Sequence, residues 1–526
     1  MRTRNSTKEL NNFDMIWSVT QDSVNAQLKY LFNFGDINTQ ISVGDLNEDG
    51  FNLNTTLLAP ALIFDSAMEG HASMVISLDT GTLTTWTGFG ANAKTVEHDC
   101  KGWKIGFDVR LSLIGLKDLK APSKAVHEKM KHSGFMDTQR FSVRGLFLDF
   151  QNTNFSSFDD GRTTVILSDA SDANAAESAR VKTMFYNGLR THFEAIKTSE
   201  NPYALGYTVE NVTPPAGQNS TPALFAPTGV AYSTHRYQDP GQHDSKAYLG
   251  RSTLNFMMMT DQIPPSTDPR DGHFDRNLVE ESGIDGTALI RQELFVQQYL
   301  KQVWDKIVDA LDPGTALVHL RSGGVPNVRN ETLSNGFSLS ESITSSDDLG
   351  NYVRPFYTQT KKLTMRLVNA SDHIEFRGTG TLFSELLVKQ YAWPNTYMGQ
   401  FWGKSSTSLD FCIKFLAGTD GKIQIIPEFK ITPQPLDRGH SGAFGSLSSV
   451  LDDLGVGPNI QAMLGSVTEQ TQMMVKSEFI DQIRGSFAAL AGSVILPGAN
   501  DFFYKKLQLS PEGNVQLYMT YKLEDE

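Results

Sequence analysis

Several stretches of this 526-residue chain hold the residue types and spacings that chemistry requires. Asp45-Leu46-Asn47-Glu48-Asp49-Gly50 matches the first half of a calcium loop, where Asp45, Asn47 and Asp49 would turn alternate oxygens onto an ion. The twelfth position is Thr56 instead of a bidentate glutamate, and no helical pattern flanks the loop, so the expectation is a polar turn between strands. Asp79-Thr80-Gly81-Thr82 has the residue order of an aspartic-protease triplet. That chemistry needs two carboxylates sharing one proton, and the chain has no second such triplet. A hairpin turn between Met74–Leu78 and Leu83–Trp86 is the reading we adopt. Gly439-His440-Ser441-Gly442-Ala443 misses the glycine a nucleophile elbow requires at 443, and the surrounding Pro and Gly predict a loop. Gly378-Thr379-Gly380 lacks the third glycine and the helix of a dinucleotide turn. His235, His243, Asp239 and Asp244 fit no metal-ligand spacing. No catalytic residue, metal ligand or cofactor is therefore assigned.

The elements around these stretches are legible from apolar periodicity. Val475, Phe479, Ile483 and Phe487, continued by Leu490 and Val494, step by three or four and predict a long amphipathic helix. Val515, Leu517, Met519 and Tyr521 then alternate with Gln516, Tyr518 and Thr520 as a half-buried strand. Val296, Leu300, Val303, Ile307 and Leu311 form a second helical stripe, closed by Asp312-Pro313-Gly314. A third runs through Val181, Phe185, Leu189, Phe193 and Ile196, and a shorter one through Val24, Leu28, Leu31 and Phe32. Trp103 to Leu113 alternates as a strand; Phe141–Phe150, Leu254–Met259, Leu363–Leu367 and the pair 411–415 and 423–425 are further strands. Residues 214–222 and the Gly/Asn/Ser-rich 322–350 read as loops. Helices and antiparallel strands without βαβ alternation define an α+β chain.

A chain this long exceeds a single core, and 39% apolar against 20% charged residues excludes disorder. The Asp/Pro/Gly-rich stretch 261–286 supplies a boundary, giving expected domains 1–275 and 276–526. A net charge of −13 excludes nucleic acid as a general partner and opposes simple adhesion to anionic membranes, leaving room only for a local basic patch. Cys100 and Cys412 alone build no disulfide framework. No apolar run reaches the length of a membrane span, and no apolar h-region follows the basic start. The expectation is a soluble protein, cytoplasmic or released by a non-classical route.

Asn12-Phe13-Asp14-Met15-Ile16-Trp17-Ser18-Val19, with Val24-Asn25 opening a helix, resembles the start of the OrfX and forty-seven-kilodalton accessory proteins of clostridial neurotoxin gene clusters. Leu254-Asn255-Phe256-Met257-Met258-Met259-Thr260 with Pro264-Pro265, the helix near Leu294-Phe295, and the ending Ile495-Leu496-Pro497-Gly498, Phe502-Phe503-Tyr504 and Gly513 to Tyr521 are similar to that family's later landmarks, in the same order. The resemblance implies the tubular lipid-binding (TULIP) superfamily: two modules, each a long helix wrapped by a highly twisted antiparallel sheet. It also implies an accessory setting with a toxin or accessory-protein partner.

Long apolar helices, sheets able to curl, 32 Phe and 16 Met favour an apolar ligand, because flexible Met and broad Phe line grooves that accept variable acyl chains. At about 0.8 kcal/mol per methylene, ~16 carbons supply roughly 13 kcal/mol before ordering costs. The expected lipid-facing residues are Val475, Phe479, Ile483, Phe487, Val296, Leu300 and Val303. The expected activity is non-enzymatic sequestration of a lipid or docking to a membrane surface. The alternative is a structural, protein-binding chain with filled cores.

Overall fold

The computed structural model describes residues 9–66, 70–88, 90–115, 124–132, 141–153, 155, 158–167, 175–197, 201–211, 225, 227–238, 246–260, 262–266, 272–310, 328–333, 336–346, 353–434, 437–442, 493–497 and 502–521. The chain divides into two compact units. Unit 1 comprises 1–291, 487–505 and 516–526, and unit 2 comprises 292–486 and 506–515.

Unit 1 opens with β1 (Met15–Thr20) and α1 (Gln21–Asn33). Thr20 caps that helix, its hydroxyl accepting from the Ser23 amide at 3.4 Å. There follow β2 (Gln40–Val43), β3 (Phe51–Leu57), β4 (Ala61–Ile63), β5 (His71–Thr87), β6 (Lys94–Asp99), β7 (Lys104–Gly115), α2 (Lys124–His132), β8 (Phe141–Asp149), α3 (Ala175–Glu194), β9 (Ala204–Asn211), β10 (Gly229–His235), β11 (Thr253–Met259) and β12 (Gly286–Ile290). One sheet runs β2-β3-β5-β7-β8-β9, with β4 and β6 also on β5. It ends on β20 (Val494–Ile495), supplied from late in the chain. A second runs β10-β11-β1-β12 and is completed by β22 (Val515–Tyr521) and then β21 (Phe502–Leu509). Every position of β1, β11 and β12 is buried, as in a strand covered on both faces. The α3 stripe falls as its spacing predicts: Val181, Phe185, Leu189 and Phe193 are all buried, with Phe193 against Phe107, Phe150 and Tyr203.

Unit 2 begins as α4 (Gln292–Leu294), a π-helical turn over Phe295–Leu300, and α5 (Lys301–Ala310). The π turn departs from the plain helix expected there. Phe295, Val296, Tyr299 and Leu300 are buried along it. The sheet is antiparallel throughout: β13 (Val328–Leu333), β14 (Gly336–Ser346), β15 (Val353–Asn369), β16 (Ile374–Ala392), β17 (Thr396–Ala417) and β18 (Ile423–Pro433), with β19 (Asp437–Gly442) also on β17. Leu363 and Met365, Ile374 and Phe376, and Leu409, Phe411, Ile413 and Phe415 are buried on one face. The stretch Gly378-Thr379-Gly380 lies inside β16, where a Cβ on Gly378 would sit 2.2 Å from Met365 Cγ and one on Gly380 2.3 Å from Leu363 Cδ2. These glycines let the neighbouring strand's side chains cross over them.

Three local expectations are corrected. Residues 79–81 are no hairpin turn: β5 continues through them, pairing with β3 across a bulge at Thr56/Leu57. Gly81 is required there (φ +138°), since a Cβ would meet the Asn54 carbonyl at 2.4 Å. Residues 437–442 form strand β19, not a loop, because bare Gly439 accommodates the Trp402 indole, whose Cζ2 would lie 2.3 Å from a Cβ. Much of 322–350 is likewise strand, with Phe337 and Leu339 inward and the alternating Ser338 and Ser340 less buried. The predicted helix of Val475 to Leu490, with its stripe residues Val475, Phe479, Ile483 and Phe487, lies outside the described residues. So does the 214–222 loop.

Candidate functional site

Three of the seven expected lipid-facing residues are described, and they come together in unit 2. Val296, Leu300 and Val303 are each 1% exposed or less. Around them Phe295 and Tyr299 both meet the Phe415 ring, at 5.8 and 6.2 Å. Trp304 stacks on Phe337 at 5.3 Å, and Phe337 meets Phe376 edge-on at 5.6 Å. Burial pushes the Tyr299 phenol well above its ordinary pKa, so it stays neutral. Beneath α5 the space is filled by these rings.

At the end of α5 the lining turns polar. Lys361 Nζ donates to the Val308 carbonyl at 3.3 Å and pairs with Glu341 at 3.3 Å, with both side chains almost fully buried. The strands go on. At ~3.3 Å per residue, β15, β16 and β17, with 17, 19 and 22 residues, reach roughly 55 to 75 Å. The helical run from Gln292 to Ala310 reaches about 28 Å at ~1.5 Å per residue. Leu382, opposite Lys361, and Val388, six residues further along β16, are 2% exposed on the same inner face. Leu382 and Val388 thus carry an apolar lane along β16, beside the buried polar side chains of Lys361, Gln359 and Thr407.

The chemically suggestive stretches resolve into structure. Asp45 Oδ1 accepts the Asn47 and Glu48 amides at 2.7 and 3.2 Å, and Asp49 Oδ2 accepts the Asp45 amide at 2.8 Å. The carboxylates are engaged by their own turn, as an Asx turn requires. Among the described residues no three His, Cys, Asp or Glu side chains converge as a metal site. We therefore expect neither EGTA nor added calcium to move the melting temperature; a calcium-dependent rise in a thermal scan would reverse this reading. Buried His235 has its pKa lowered by desolvation and a neighbouring His273, while Asp239, His243 and Asp244 lie outside the described residues. Burial pushes the Cys100 thiol up to about 12, opposite to what a nucleophile needs. A surface depression of about 360 Å³ between β16, β17 and β18 is lined by residues including Arg377, Cys412, Glu428 and Lys430. Arg377 is already held by Glu375 at 2.7 Å.

Sequence reasoning missed two features. One is the buried Glu341–Lys361 pair, two ordinary-looking charges on polar strands. The other is the β16–β17 hairpin tip, where Trp393, Tyr397 and Met398 are 77%, 49% and 44% exposed. The aromatic run between Tyr391 and Trp402, free of acidic residues, was the available signal for it.

Compared with solved structures, the chain is similar to P47 from Clostridium botulinum A2, at 11% identity and a TM-score of 0.45, covering 98% of this chain and 99% of that one. It is similar to P47 of Clostridium botulinum E1, at 12% identity and a TM-score of 0.43, covering 97% and 99%. It is also similar to a lipopolysaccharide binding protein, at 12% identity and a TM-score of 0.29, covering 98% and 100%. No family model and no curated protein matches. Among the described residues no helix is long and apolar enough to cross a membrane.

Proposed function

We propose that the chain is a non-enzymatic binder of lipid acyl chains or a similar apolar ligand, built as two TULIP-like modules, 1–275 and 276–526. The observation that carries this is the unit 2 lane. The inner face of its sheet is apolar at Leu363, Phe376, Leu409 and Phe411, and Leu382 and Val388 carry buried apolar positions further along β16. Val296, Leu300 and Val303 form the filled floor of that face. The stripe Val475, Phe479, Ile483 and Phe487 is the proposed companion wall, on its sequence pattern alone. Each methylene buried there contributes about 0.8 kcal/mol, so no catalytic group is needed to hold the ligand. An accessory role beside a toxin follows from the resemblance of the sequence landmarks, and release by a non-classical route would suit it.

A second reading, a protein-binding chain with filled cores, is favoured by the ring packing of Phe295, Tyr299 and Phe415 beneath the helix. Native mass spectrometry of the purified full chain, with solvent extraction of the same sample, separates the two. We expect a bound species of lipid mass that extraction removes. A clean unliganded mass, unchanged after incubation with mixed lipids, would establish the filled-core reading instead.

A further inference from the structure

The lane along β16 is flanked by two buried polar side chains that the protein itself does not satisfy. Gln359 and Thr407 are each 3% exposed. Among the described residues neither the Gln359 amide nitrogen nor the Thr407 hydroxyl has a hydrogen-bond partner. Register puts both on the inner face of the sheet. Lys361, Leu382 and Thr407 stand opposite one another across β15, β16 and β17, and Glu341 stands opposite Lys361 on β14. Gln359 precedes Lys361 by two positions and so shares its face, as the alternating burial of β15 also shows. Leu382 lies between the two unsatisfied groups, with Val388 further along the same strand.

Folded chains pair nearly all of their buried polar groups, because an unpaired one has given up water and gained nothing. The neighbouring charges obey that rule. Lys361 Nζ reaches Glu341 and the Val308 carbonyl, both at 3.3 Å. Gln359 and Thr407 break it, and both can donate: an amide N–H on one side of Leu382 and a hydroxyl O–H on the other. What fits between them is an acceptor carried by an otherwise apolar molecule. Glu341 balances the charge of Lys361, so an incoming carboxylate or phosphate would be buried without a cation of its own. A neutral carbonyl carries no such cost. We propose that Gln359 and Thr407 set the lane's specificity by donating to an ester carbonyl of an acyl lipid whose chain lies along Leu382 and Val388. The proposal rests on the lipid-binding reading and adds to it the chemical class of the lipid.

The test is a competition. The full chain, stripped of lipid by solvent, is incubated with vesicles holding equal amounts of dioleoyl phosphatidylcholine and its diether analogue, which lacks both carbonyls. Native mass spectrometry then reads the ratio of the two bound species. The wild type should favour the ester by about tenfold, the worth of one or two hydrogen bonds. Gln359→Leu with Thr407→Val should bring the ratio to about one. The melting temperature of that lipid-free variant should hold or rise, because no hydrogen bond within the protein is lost. Thr407→Ser, which keeps the hydroxyl, should retain the preference. A wild-type ratio near one would overturn the proposal and leave the carrier reading standing, with buried water as the donors' partner. No load of either lipid would defeat both. A double variant that kept the preference would also overturn the proposal. So would one whose lipid-free melting temperature fell together with its load of both lipids, since that marks a structural role.

Discussion

Replacing Arg291 with leucine is expected to destabilise unit 1 by about 3 to 5 kcal/mol, the range for a buried ion pair that loses one partner. Arg291 is 2% exposed and Asp14 1%. The guanidinium donates to the Phe13 carbonyl through Nε at 3.0 Å and through a terminal nitrogen at 2.5 Å, and to the Asn11 carbonyl at 3.2 Å. Its Nε lies 3.6 Å from Asp14 Oδ1, while Asp14 Oδ2 accepts the Thr260 amide and hydroxyl at 2.9 and 2.8 Å. One cation thus joins the chain's start, the end of β11 and the end of β12, across 278 positions of sequence. Leucine fills some of the volume but leaves a buried carboxylate without its cation and backbone carbonyls without donors, and each such group costs its desolvation. Urea unfolding of the full chain measures the loss. The control is Arg291→Met with Asp14→Leu, which removes both charges and should cost less than the single change. A single variant within about 1 kcal/mol of wild type would show that water replaces the guanidinium.

The same clasp shows what the sequence could and could not disclose. Asn12 to Val19 and Leu254 to Thr260 stand out as apolar segments, and the structure pairs them in register, Met15 with Met258 through Thr20 with Thr253. Nothing local says that Asp14, inside the first, faces Arg291. A charge in an apolar run carries no address for a partner hundreds of residues away. Periodicity served well where one face meets one neighbour, as in the α3 stripe and in β7. It failed where a third element decides. Asp79-Thr80-Gly81 has the composition of a turn, and only the register of β3 makes it a bulge in a continuous strand. Gly439 to Gly442 looks like a loop until Trp402 needs the bare backbone beside it. The candidate site divides the same way. That Val296, Leu300 and Val303 would be buried could be read from their spacing. The continuation of the lane along β16 depends on cross-strand neighbours from distant segments, which no local window contains. Exposure of Trp393 is likewise tertiary, because the same aromatic run inside a sheet would be core.

Truncating Trp304 to alanine is expected to cost about 3 to 5 kcal/mol, as for other fully buried large aromatics. Trp304 is 0% exposed, sits on the face of Phe337 with an interplanar angle of 18°, and through that ring reaches Phe376. Its indole N–H donates to Glu331 Oε1 at 2.8 Å, and Lys301 Nζ approaches the same oxygen at 3.5 Å. Alanine removes the stacked pair, worth about 0.5 to 1.5 kcal/mol beyond burial, and opens a cavity between α5 and the sheet. Trp304→Phe keeps most of the apolar volume and loses only the hydrogen bond, so it should cost about 1 to 2 kcal/mol. The pair of variants also bears on function. Trp304 belongs to the filled floor, so its truncation should lower the unfolding midpoint in urea while lipid load per folded molecule stays constant. If alanine instead raised the lipid load with little loss of stability, an acyl chain would be occupying the space the indole vacated. The lane would then extend beneath α5 as well as along β16.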